Sequence, residues 1–324
     1  MTMRAALKTS SNRAAVRMLE DIGIPVAVQY AKQLGVGSVP SVPSLALGSG
    51  EVTVASMTAA YAAFANAGLV QTPMLVRRVE TTEGEVLFTA EQEPQQAVSE
   101  QTAFLMANMM ADVVNAGTGA GARSVGFRLP AAGKTGTTND YHDAWFVGFT
   151  PRLAAGVWIG YDQPRTIIGG GYASVLAVPV WGRFMAAATI KDRPEWFSAP
   201  ERITTATICR LSGKLATDSC HETVTDQSGN STSAPMAYTE YFVEGTEPTE
   251  SCPIHRRILT SPFRALAALI SPGRAASPTQ SSPQQQLSAR APEATRPPPP
   301  PTTPQPEQPR KRGFWSKVFG VGKK

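Results

Sequence analysis

The chain has 324 residues, 42% of them hydrophobic, and a formal net charge of +5. Six of the positive charges, Arg310, Lys311, Arg312, Lys317, Lys323 and Lys324, crowd into residues 310–324 without an acid, which leaves −1 for residues 1–309. The basic balance therefore belongs to the tail and argues against a nucleic-acid-binding domain.

Taken in chain order, residues 1–22 read as helical with a break around Thr9–Asn12. Beyond the break, Ala14, Met18 and Ile22 share an apolar face with Ala15 and Leu19. Gly23 and Pro25 stop this helix, and residues 26–34 predict a second short one closed by Gly35. A turn-rich passage with Pro40 and Pro43 leads into "TVASMTAAYAAFANAGL", an alanine-rich helix ending at Gly68. Residues 74–89 predict a hairpin around Glu83-Gly84. Residues 98–115 predict a helix opening at Ser99, with Glu100 in its first turn. "VNAGTGAGARSVGF" reads as a flexible glycine-rich connection. Residues 144–160 predict a hairpin turning at Thr150-Pro151-Arg152, and "PVWGRFMAAATI" a helix. Helices followed by strands joined through short turns favour an antiparallel sheet with helices packed on it.

From residue 201 large apolar residues become scarce, and the segment 201–270 reads as a small, loop-rich, cysteine-containing appendage to a main domain of residues 1–200. Residues 271–309 are rich in Pro, Ser and Gln and cannot bury enough apolar surface to fold, so a disordered linker is expected there. Residues 310–324 interleave Phe314, Trp315, Val318 and Phe319 with the lysines; this tail suits an anionic membrane surface, or else a solvated end. No run approaches the ~20 apolar residues of a membrane helix, and the N-terminus lacks the apolar core and cleavage site of a signal peptide.

The three cysteines, Cys209, Cys220 and Cys252, form no C-x-x-C pair, which speaks against a zinc knuckle. Either one disulfide with a leftover thiol or three unpaired thiols fits them. His142, His221 and His255 show no metal-site spacing, so no metal is expected.

Gly133-Lys134-Thr135 invites a nucleotide reading, which fails. A phosphate loop needs a glycine at position 128, where Arg128 stands, and must open a helix. The run Thr135-Gly136-Thr137-Thr138 is instead a poor first helical turn and leads into strands.

Two short motifs remain: Ser10-Ser11-Asn12, an S-x-N triplet before a helix, and Lys134-Thr135-Gly136-Thr137. On their own they read as a helix cap and an edge strand. In this order and spacing they resemble the second and third motifs of the serine β-lactamase/penicillin-binding superfamily. "LGSGEVTVASMTAAYAAFANAG" and "AAGKTGTTNDYHDAWFVGFTPRLAAGVWIGYD" are similar to the transpeptidase domain of bifunctional (class A) penicillin-binding proteins, and "CRLSGKLATDSC" and "YFVEGTEPTESCPIH" to the segment that follows it.

The resemblance spans residues 1 to about 260. It implies an α+β fold, a five-stranded antiparallel sheet with a packed helical cluster, and a D,D-transpeptidase that cross-links peptidoglycan by acyl transfer from D-Ala-D-Ala stem peptides. β-Lactams would be mimics of that donor. It implies no cofactor, no nucleic acid, and a periplasmic or cell-envelope setting. Carried over by position, Ser10 would relay protons and Asn12 would hold the substrate amide. Lys134 would supply positive potential and orient Ser10. Thr135 and Thr137 would offer hydroxyls to the substrate carboxylate, and Gly136 would let the strand approach its backbone.

One family motif is missing. No serine in this sequence has a lysine three positions later, so the S-x-x-K that carries the nucleophile is absent. The chain therefore reads as an N-terminally truncated portion with Met1 or Met3 as an internal start. Its two functional readings are a transpeptidase fragment and a non-catalytic binding module with weak β-lactam affinity.

Overall fold

The computed structural model describes residues 1–226 and 228–255. The expected linker, the basic tail and the end of the appendage lie outside the described residues.

Helices α1 (Met3–Thr9) and α2 (Asn12–Ile22) flank the predicted break. Ser10 closes α1 in the left-handed region, at φ 55° and ψ 51°, and Ser11 Oγ opens α2 by accepting the Ala14 N–H at 3.5 Å. Helix α3 (Ile24–Gln33) follows at once, with Pro25 in its first turn, where no N–H is needed. Thr53 caps α4 (Val54–Ala65), and Ser99 caps α5 (Glu100–Ala116) by accepting the Thr102 N–H at 3.1 Å. Between α4 and α5 lie two small antiparallel pairs. Strand β1 (Leu69–Val70) meets β4 (Gln95–Gln96), and β2 (Arg78–Glu80) meets β3 (Val86–Thr89) across the expected hairpin turn. The glycine-rich stretch contains one short helical turn, α6 (Gly121–Ser124).

The central sheet consists of β5 (Ala132–Thr137), β6 (Asp143–Phe149) and β7 (Ala154–Gly160), all antiparallel, in the order β5-β6-β7. It has three strands among the described residues, where the resemblance implied five. The other long strands pair separately, in the appendage. Helix α7 (Ala177–Ala188) covers one part of the sheet. Its Trp181 is fully buried, meets Phe127 and Phe146 edge-on at 5.1 and 4.9 Å, and donates its indole N–H to Ala155 O at 3.0 Å. Helix α5 packs on β5, where Ala107 and Met110 join Ala132 and Phe149 in a second cluster. Helix α4 lies on β7 so closely that a Cβ at Gly156 would collide with the Thr58 hydroxyl, so the small residue there sets the approach.

The appendage is more regular than its composition suggested. Strands β8 (Ile203–Cys209) and β11 (Ala237–Val243) form one ribbon, paired from Ile203–Val243 to Cys209–Ala237; β9 (His221–Thr225) and β10 (Ser231–Pro235) form another. The first ribbon grips the main domain. Arg4 of α1 pairs with Glu240 of β11 and also donates to Asn108 Oδ1 of α5 at 2.6 Å. Beside this pair, Phe104 meets Tyr241 edge-on at 5.3 Å. Among the described residues no helix is long and apolar enough to cross a membrane.

Candidate active site on strand β5

Strand β5 is the edge of the central sheet, hydrogen-bonded on one side only, to β6. Lys134 and Gly136 stand opposite Val147 and Trp145. The left-handed turn at Ser10 brings the serine against this strand: Lys134 Nζ donates to Ser10 Oγ at 2.7 Å, although the two residues are 124 positions apart. A left-handed backbone at a residue with a Cβ costs about 1–2 kcal/mol, and here it sets the hydroxyl in front of the amine. Lys134 Nζ also reaches Thr135 O at 2.9 Å. Asn12 is exposed in the first turn of α2, with no side-chain hydrogen bond to the described residues.

The threonines differ in their surroundings. Thr137 Oγ1 accepts the Ala173 N–H at 3.0 Å, which leaves its own O–H to be donated. Thr135 Oγ1 shares a proton with Thr118 Oγ1 at 2.6 Å. The Cβ direction at Gly136 leads to Trp145 Cβ at 3.3 Å, so close packing within its own sheet already favours a small residue there.

Thr118 is a site neighbour that sequence reasoning missed. The glycine-rich stretch around it is a packed junction rather than a flexible connection. A Cβ on Gly117 would meet Lys8 O at 2.5 Å, and one on Gly119 would meet Phe146 at 3.0 Å. The Thr118 N–H donates to Lys8 O at 3.4 Å. The end of α5 is thereby tied to the end of α1, and Ser10 is carried to the strand. The glycines on either side of Thr118, which permit two such close approaches, were the available signal. Tyr141 donates its hydroxyl to the Tyr172 hydroxyl at 3.1 Å, and Trp145 leans on Trp158 across the ladder.

Burial pushes the Lys134 amine down to about 8 from its usual 10.5. Below that value the folded protein holds a desolvated charge that the unfolded chain holds in water. As pH rises the native amine loses its proton first, and the unfolded state then binds more protons. Stability tied to Lys134 is therefore expected to increase from about pH 8 to about pH 10.5. Urea denaturation of the wild type and Lys134→Met across that window checks this. The difference should move in favour of the wild type with rising pH, and a flat difference contradicts it.

The family description "Penicillin binding protein transpeptidase domain" matches residues 1–166, just over half of the chain, and takes in both Ser10 and strand β5. The chain belongs to the penicillin-binding protein transpeptidase family. "Penicillin-binding protein 1A, C-terminal domain" matches residues 199–257, the appendage. Penicillin-binding protein 1A of Neisseria flavescens is 38% identical over 213 residues, covering 63% of this chain and 26% of the relative. The chain thus spans about a quarter of the length of such curated relatives. Penicillin-binding protein 1A from Haemophilus influenzae shares the fold, with a TM-score of 0.67 at 24% identity over 78% of this chain and 41% of that one. PonA1 of Mycobacterium tuberculosis, solved in complex with penicillin V, superposes with a TM-score of 0.53 at 26% identity, covering 61% of this chain and 58% of that one. Within this penicillin-binding fold, Ser10, Lys134 and Thr137 surround the open edge of the sheet.

Proposed function

We propose that this chain supplies the substrate-anchoring and proton-relay part of a peptidoglycan D,D-transpeptidase site. The observation that carries the reading is the 2.7 Å bond from Lys134 Nζ to Ser10 Oγ at the open edge of β5. An acyl transfer needs a nucleophile, a proton relay and a site for developing negative charge. Here Lys134 provides cationic potential toward the terminal carboxylate of a D-Ala-D-Ala donor, and the free O–H of Thr137 donates to it. The unpaired edge of β5 offers backbone groups to an extended peptide, which docks as an added strand. When the D-Ala–D-Ala peptide bond breaks, the leaving amine needs a proton. The Lys134–Ser10 pair, with an amine lowered to about 8, is suited to pass one. Asn12 lies one step along α2 to hold the donor amide. A cell-envelope setting follows from this reading, because the substrate is the wall polymer.

A second reading, a non-catalytic binding module, is favoured by the absence of any serine followed three positions later by lysine. Both readings require the anchoring groups to hold the peptide. Isothermal titration with an acyl-D-Ala-D-Ala peptide tests this. Reversible binding is expected, weakened about tenfold to a hundredfold in Lys134→Ala, as for loss of a charged hydrogen bond. A wild-type chain that takes up no peptide, or a Lys134→Ala chain that binds it equally well, contradicts the proposal.

A further inference from the structure

Among the described residues the appendage shows no sizeable hydrophobic core. Its buried cluster among the described residues consists of Cys209, Cys220 and Cys252, with Ala216, Met236 and Ala237 packed against it. Two short ribbons with so little apolar surface to share need another tie, as small folds generally do. The three cysteines are 0%, 1% and 3% exposed, and they are not bridged to one another.

A fourth group joins them. The Sγ atoms of Cys209, Cys220 and Cys252 and a ring nitrogen of His255 all lie within 4.8 Å of one another. His255 Nδ1 sits 3.4 Å from Cys209 Sγ and 3.4 Å from Cys252 Sγ. Backbone amides point at the sulfurs: the Thr217 N–H donates to Cys220 Sγ at 3.2 Å, and the His255 N–H to Cys252 Sγ at 3.4 Å. Thr217 Oγ1 donates to His255 O at 2.7 Å and so holds the histidine segment over the cluster. A disulfide would use two of these four groups and give no reason for the imidazole or the third thiol to be there. A tetrahedral zinc ion uses all four. Zinc–sulfur bonds of ~2.3 Å and zinc–nitrogen bonds of ~2.0–2.1 Å set the ligand atoms about 3.6–3.8 Å apart, a spacing that fits inside the 4.8 Å span of this cluster. Soft thiolates favour zinc over magnesium or calcium.

We propose that Cys209, Cys220, Cys252 and His255 bind one zinc ion as a closed structural site. Four protein ligands complete the tetrahedron and leave no open position for chemistry. On binding, each thiol loses its proton to solvent as its sulfur bonds the metal, and neutral His255 contributes the lone pair of Nδ1. The ion joins the end of β8, the turn before β9, and the segment 252–255. The signal was legible in Cys252-Pro-Ile-His255, a C-x-x-H pair, and the search for C-x-x-C passed over it.

The test uses the whole chain, prepared in zinc-containing medium and passed through chelating resin. Mass spectrometry of the metal is expected to find about one zinc per chain, with all three cysteines titratable after chelation and denaturation. Cys252→Ser and His255→Ala should each lower zinc retention at least about tenfold. Either variant could fail to fold, so cobalt is loaded into the wild-type apoprotein as well. Thiolate-to-cobalt charge-transfer absorption with tetrahedral d–d bands supports the site. Three results would each overturn it: a zinc-free chain with only one titratable thiol, which means a disulfide; full zinc retention in both variants; or a cobalt spectrum without thiolate bands.

Discussion

Incubated alone with a fluorescent penicillin, this chain is expected to leave no covalent band on a denaturing gel. A covalent adduct needs a hydroxyl activated by a base, and the family's activator is a lysine one helical turn after the serine. No serine of this sequence is followed by lysine at that distance. Ser10 is the only hydroxyl paired with a lysine amine among the described residues apart from Thr135, and its setting is different. It ends a helix in a left-handed turn instead of lying within one, and its Oγ accepts from Lys134 Nζ at 2.7 Å. An Oγ that accepts from an ammonium has a reduced tendency to attack, because the bond stabilises the oxygen's lone pair. The neighbouring Asn12 offers no proton-accepting group. Loss of a nucleophile removes nearly all of the rate, about 10⁶-fold in serine hydrolases, and leaves binding behind. A stoichiometric band that disappears in Ser10→Ala would make Ser10 the nucleophile and overturn this account of its role.

Much of the main domain was legible because its signals are local. Ser99 with Glu100 announced α5, and the Ser10–Asn12 break separated α1 from α2 where the caps stand. The aromatic and β-branched run after Asp143 announced β6 and β7. What escaped was set by long-range contacts. The edge strand read at Lys134–Thr137 starts two residues earlier, at Ala132 and Gly133, small residues without a strand signature, which fit because Gly133 packs under Phe146 and the Val147 carbonyl. The ribbon of β8 and β11 went unread because "ITTATIC" is threonine-rich, and its partner lies some thirty residues away in sequence. Threonine suits a pleated surface as well as valine does, but scarcity of large apolar residues looked like a loop. Of the candidate site, the residue types on β5 and at Ser10 were visible as motifs. The hydroxyl of Thr118 was not, since nothing in the sequence near Gly117 says which strand it faces.

The second large effect comes from adding an S-x-x-K motif, which this sequence does not contain. A protein in which a relative's transpeptidase segment containing S-x-x-K is joined in front of Met1 is expected to be acylated by penicillin. In the proposed reading, the donor carboxylate and the leaving amine then meet Lys134, Thr137 and the Lys134–Ser10 bond. Preorganised groups of this kind are typically worth 10²–10³-fold in rate, about 3–4 kcal/mol. The decisive measurement is the second-order rate of penicillin acylation of the joined protein, compared with that of its Lys134→Ala variant, both checked for a cooperative thermal transition. The account predicts rapid labelling of the first and labelling slower by about 10²–10³-fold in the second. A folded joined protein that is not labelled, or a folded Lys134→Ala variant labelled at an unchanged rate, would contradict the assignment of strand β5 as the anchoring edge of the site.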